Sequence, residues 1–191
     1  MRYEDAFGVT PVDPTEAQGL KLKNISTQRE LNEFESKNIA KAVSWAFNRR
    51  RKDFLTESFF RKLHKKMFSE VWVWAGEYRK SDKNIGVTWE LIPEEIGKLL
   101  GDSQYWIDHQ PYSWDELAAR FHHRLVWVHA FPNGNGRHAR LMTDILLQYN
   151  SQPLRTWGES LPKEKVRDAY LTSLRAADQG DFSILIRFMK S

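Results

Sequence analysis

The sequence contains no cysteine, which excludes a disulfide framework, a thiol nucleophile and a Cys-ligated zinc centre. Long hydrophobic runs are also missing. The longest are a few residues, such as Ile184-Leu185-Ile186, too short for a membrane helix. The first residues, MRYEDAFGVTPVDPTE, lack the basic start and apolar stretch of a secretory signal, so the reading is a cytoplasmic protein with no membrane partner. No single sign of charge dominates: 29 Lys+Arg face 25 Asp+Glu, a formal net charge of +4 that mildly favours anionic partners. What the chain does have is 191 residues, 41% of them hydrophobic, with eight Trp and eleven Phe. That is enough for one core built on large rings.

The periodicity predicts an all-α fold of about seven helices with a short β-hairpin. Residues 1–26, with Gly8, Pro11, Pro14 and Gly19 and no sustained period, read as an extended arm before one domain over 27–191. Thr27 and Glu30 fit a capping box opening a helix with Leu31, Phe34, Ile39, Ala42 and Phe47, and Arg49 to Lys52 lie where it should end. A second helix follows Thr56. Residues 71–93, rich in β-branched and aromatic residues with two glycines, read as a loop carrying a short hairpin. Helical spacing resumes after Pro93, after a Ser113/Glu116 capping box, from Gly136, after Pro162, and from about Asp181 to Met189.

The segment from His129 to Arg140 (HAFPNGNGRHAR) carries the chemistry. A helix ends, a Gly/Asn turn follows and another helix begins, so turn amides and a helix N-terminus converge on one concave anion site. Gly134 and Gly136 allow close backbone approach, and Asn135 lies between them. Arg137 and Arg140, three apart, project from the first turn and suit a polyphosphate. His129 could act as a base near neutral pH. His122, His123 and His138 have no acidic residue completing a metal-ligand spacing, and His64 reads as structural. The Arg49–Lys52 run supports nucleic-acid binding only weakly, since a basic helix end is normally solvated.

This segment resembles the Fic signature, H-x-F-x-(D/E)-G-N-G-R-x-x-R, at His129, Phe131, Gly134, Asn135, Gly136, Arg137 and Arg140. Seven named residues in such a window arise by chance about once in 10⁷ chains of this length. The likeness extends upstream through Leu63-His64 and Trp74-Ala-Gly-Glu-Tyr-Arg79 and covers roughly 55–150. The resemblance implies a Fic fold and a protein adenylyltransferase, which moves AMP from ATP to a Ser, Thr or Tyr hydroxyl of a target protein. By position, His129 would take the proton, Arg137 would act in catalysis and, with Phe131, Gly134, Asn135, Gly136 and Arg140, in nucleotide binding. Phe131 would pack under the loop, and a flap at Ile85, Gly86, Val87 and Thr88 would dock the target by strand addition.

Asn133 departs from the pattern. It stands where the family has Asp or Glu for Mg²⁺, and an amide is a poorer ligand for a hard ion. Three readings stay open: turnover with Mg²⁺ held mainly by the phosphates, another donor or transferred group, and a silent nucleotide-binding regulator. The Asn form also resembles a branch on bacterial mobile elements, sometimes called mobile mystery protein B. The family's inhibitory pattern, Ser or Thr, three residues, then Glu followed by Gly or Asn, is matched in part by Ser26-Thr-Gln-Arg-Glu30, with Leu31 at the last place. That makes Glu30 the inhibitory candidate, facing Arg140. Target identity and oligomeric state are not legible in the sequence.

Overall fold

A computed structural model of the chain describes residues 17–22, 24–48 and 52–191. Most of the expected N-terminal arm, and Arg49, Arg50 and Arg51, lie outside the described residues. Seven α-helices occur among those described: α1 (Gln28–Phe47), α2 (Glu57–Phe68), α3 (Ile92–His109), α4 (Trp114–Val128), α5 (Asn135–Tyr149), α6 (Lys163–Asp178) and α7 (Ser183–Lys190).

Local chemistry sets the helix starts. Thr27 accepts from the Glu30 N–H and Glu30 returns the bond, so the full capping box opens α1. Thr56 caps α2 through the Phe59 N–H. Ser113 caps α4 through the Glu116 N–H, but the Glu116 carboxylate turns to Arg120 at 2.9 Å, so only half of that expected box forms. An i,i+4 partner of opposite charge outcompetes the backbone there.

The core is built around α5. Leu141, Met142, Ile145, Leu146 and Leu147 are fully buried, and the helix packs on α4, α2 and α1. α1 lies along α2, and α6 along α7, which closes on α4. Aromatic rings fill the interior, with Phe59, Phe60, Phe68, Trp72, Phe121 and Phe131 all essentially inaccessible. Burying side chains of this size supplies the main cohesive term.

The expected hairpin does not form. Among the described residues the sole β pairing is an isolated antiparallel bridge between Leu20 and Trp72, where residues 19–21 bond to Val71 and Val73. Residues 77–88 are turns and extended segments, and a 3₁₀ turn at Trp89–Leu91 feeds α3. A buried side chain, Arg79, organises the flap in place of a ladder: its Nη1 donates to the Ser81 carbonyl at 2.8 Å and its Nη2 to the Val87 carbonyl. Asp82 adds a second tie by accepting from the Trp89 N–H at 2.9 Å.

Candidate functional site

α4 stops at His129, its C-cap, whose φ of 51° lies in the left-handed region. The chain then turns through Ala130–Asn133 and enters α5 behind Gly134, the N-cap, at φ 78°. The loop is held by side chains already present in the sequence motif. The Asn135 carboxamide grips Phe131 from both sides, accepting from its N–H at 2.9 Å and donating to its carbonyl at 2.8 Å. Asn133 Oδ1 accepts from the Gly134 N–H at 2.5 Å.

Beneath the loop is a stacked floor. Phe131 is wholly buried, its ring 3.7 Å from that of His64 and 5.1 Å from that of Phe60. Phe131 therefore supports the loop from the interior, the packing place the resemblance implies, and offers no exposed surface for the nucleotide contact also expected of it. His64 is a brace. Its Nδ1 accepts the Gly76 N–H at 2.9 Å, which leaves Nε2–H to donate to the Asn133 carbonyl at 3.0 Å. Burial, then the neighbouring His138, holds its pKa well below the ordinary value, so it is neutral.

At the mouth of α5 the first-turn N–H groups of Asn135, Gly136 and Arg137 have no acceptor a helix can supply from within. Together with the positive end of the helix dipole, these donors are able to hold an anion. Gly134 serves by shape: a Cβ there would lie 2.5 Å from the Phe68 ring. Gly136 has an open approach, with the Tyr170 hydroxyl 3.7 Å from where a Cβ would stand.

The two arginines flank this mouth and lean on different walls. Arg137 lies over the Phe68 ring and is paired at 2.7 Å with Glu35, a buried carboxylate of α1 that also accepts from Trp72 Nε1 at 2.6 Å. Arg140 lies over Tyr170 and Trp157, with its Nε buried and unpartnered. Tyr170 in turn meets His122 Nε2 at 3.0 Å. Burial pushes the Tyr170 hydroxyl up to about 12, so it remains a donor at neutral pH.

Glu30 does not face Arg140. Its carboxylate closes its own helix start, accepting from the Ser26 N–H at 2.9 Å and the Thr27 N–H at 3.0 Å, bonds that lower its pKa. The glutamate that reaches a signature arginine is Glu35, and the arginine is Arg137. A carboxylate on the buried stripe Leu31, Glu35, Ile39, Ala42 is the sequence signal that marks it. Tyr170 and Phe68 carried no signal beyond helical core spacing, and Trp157 stands in the loop between α5 and α6, where no period marks it.

His129 is nearly buried beneath the flap. Burial, then the Arg79 guanidinium and Lys83, lower its pKa to about 4, with the Val126 carbonyl acting in the opposite sense. The imidazole is therefore neutral at pH 7 and able to accept a proton. Of the flap residues, Ile85, Gly86 and Thr88 are exposed while Val87 is half-buried. Gly86 sits directly on the histidine: a Cβ there would be 2.7 Å from His129 Cβ.

The donor set does not build a resident magnesium site. Asn133 offers one neutral oxygen already engaged by the Gly134 N–H, and no cluster of three or more His, Asp or Glu that could hold a metal occurs among the described residues. No described helix is long and apolar enough to cross a membrane.

Residues 54–147 match the Fic/DOC family. A protein adenylyltransferase Fic from Aedes aegypti is 26% identical over 141 residues, covering 72% of this chain and 27% of that one. The protein adenylyltransferase fic-1 of Caenorhabditis briggsae is 33% identical over 118 residues, covering 60% and 22%. This chain thus spans about a quarter of the length of these curated relatives. Among solved structures, the BepC protein of Bartonella tribocorum with bound AMPPNP superposes with a TM-score of 0.69 at 17% identity, covering 93% of this chain and 96% of that one. A Bartonella quintana Fic domain with bound ADP gives 0.66 at 20% identity, covering 87% and 86%. A histidine at the end of one helix, a braced Gly/Asn turn and two arginines on the next, in a helical frame shared with those structures, place this chain in the Fic/DOC family.

Proposed function

We propose that this chain is a protein adenylyltransferase that transfers AMP from ATP to a hydroxyl side chain of a target protein. One observation carries the reading: a neutral, flap-covered His129 stands at one edge of an anion-binding helix mouth flanked by Arg137 and Arg140. The relatives named protein adenylyltransferase support it. In the reaction the target oxygen attacks the α-phosphorus of ATP while its proton passes to His129. The bond from the α-phosphorus to the oxygen bridging to the β-phosphate breaks, and pyrophosphate leaves. The amides of Asn135, Gly136 and Arg137 hold the phosphate chain, and the arginines offset charge on the departing group. Such transfer depends on alignment and charge neutralisation more than on covalent catalysis. The exposed edge at Ile85, Gly86 and Thr88 receives an extended stretch of the target, and an ATP-consuming reaction fits a cytoplasmic setting.

Incubation of the chain with a cell lysate and ATP labelled at the α- or the γ-phosphate tests this. Protein-linked α-label that disappears with His129→Ala is the expected result. Label from γ alone indicates a kinase, and label from neither overturns transfer. A second reading, a nucleotide-binding regulator without turnover, draws on Glu35 occupying Arg137 and on the missing carboxylate at Asn133. It predicts binding of an ATP analogue with no label from either position.

A further inference from the structure

The end of α4 leaves carbonyls that no helical N–H can reach. The His129 carbonyl is answered by Arg79 Nε at 2.8 Å, and that of Ala130 by the Arg79 backbone N–H at 3.0 Å. The same guanidinium continues outward to the Ser81 carbonyl at 2.8 Å and to the Val87 carbonyl. Its carboxylate neighbour, Asp82, stands off at 3.7 Å with its side chain 63% exposed, against 1% for Arg79. A charge this deep, met mainly by carbonyl oxygens in three directions, holds its place only through the planar fork of an arginine. The flap folds back over this group. A Cβ at Gly86 would meet His129 Cβ at 2.7 Å and Arg79 Nη2 at 2.9 Å.

We propose that Arg79 is a positioning residue that locks the flap to the backbone of His129, so that the segment presenting the target hydroxyl and the imidazole receiving its proton share one register. This rests on the reading of His129 as the base. The fork does the locking. A lysine ammonium at the same place keeps the charge but cannot span three carbonyls. The charge has a second effect, since Arg79 and Lys83 both oppose protonation of His129.

Arg79→Lys, Arg79→Met and Gly86→Ala separate these effects when read four ways: AMP transfer, affinity for a fluorescent ATP analogue, amide exchange across residues 81–88, and NMR titration of the His129 imidazole. With Arg79→Lys, transfer falls about 100-fold, nucleotide affinity is kept and the flap amides exchange faster. The imidazole titration stays depressed. With Arg79→Met the same loss comes with a titration shifted up toward the ordinary histidine value. Gly86→Ala leaves the guanidinium intact but forces the flap off His129, and transfer falls with nucleotide binding retained. Transfer preserved in Arg79→Lys, or flap amides as protected as in the parent chain in both Arg79 variants, overturns the proposal. If the parent chain binds nucleotide but transfers nothing, the reading of His129 as base fails, and the exchange and titration measurements still decide whether the lock exists.

Discussion

Gly134 and Asn135 have adjacent places in the loop and different work. Asn135 braces through two buried bonds to Phe131, and Gly134 makes room where its φ of 78° and the Phe68 ring leave none for a side chain. Gly134→Ala is expected to destabilise the chain by about 1–3 kcal/mol, from left-handed strain plus overpacking, and to weaken binding of an ATP analogue; thermal unfolding and a fluorescence titration check both. His129 carries a second expectation at this scale. With its pKa near 4, the neutral, proton-accepting form persists through mildly acid solution. Transfer per folded molecule should stay level from neutral pH down to about 5 and fall only as pH approaches 4. A limb centred near 6.5 would mean the imidazole is not desolvated as the flap suggests.

At the scale of elements, α1 reaches across the fold to hold an arginine on α5. Glu35 and Arg137 are 102 residues apart in sequence and 2.7 Å apart in space; the carboxylate is almost inaccessible and the arginine is only partly exposed. An anion arriving at the α5 mouth competes with that carboxylate for the guanidinium. Glu35→Gln removes the charge while keeping an oxygen for Trp72 Nε1, so α1 should stay docked. Affinity for ATP is expected to rise several-fold, about 1 kcal/mol for one charge-assisted contact released, measured by isothermal titration against the parent chain. The flap is the other element whose form is set from a distance: a guanidinium fed from the turn after Gly76 fixes its loop, and no ladder is needed.

Across the whole molecule the buried histidines set a pH limit on the fold. His122 and His138 are pushed down to about 3 and His129 to about 4, and His64 also lies well below its ordinary value; in each, burial is the first cause. The folded state resists protonation while the unfolded chain takes up protons from about pH 6.5 downward. Their contribution is therefore fully present above that pH and is lost progressively as pH falls toward the folded values, with an upper bound of roughly 1.4 kcal/mol per histidine per pH unit. Urea unfolding should show lower stability at pH 5.5 than at pH 7.5. Equal midpoints would show that these rings are more hydrated than their burial implies.

The helices were legible in the chain because their caps and apolar stripes are local, and the His129–Arg140 loop because its chemistry is written in consecutive residues. Thr27 and Glu30 meet within one turn, and their capping box needs no partner from elsewhere. Contacts between distant segments were decided by packing alone. Which glutamate meets an arginine, and whether residues 77–88 pair as strands, depend on surfaces that only come together when α1, α2 and α5 close around a common interior. A side chain's free energy there depends on neighbours far away in sequence, and periodicity reports on residues three or four places apart.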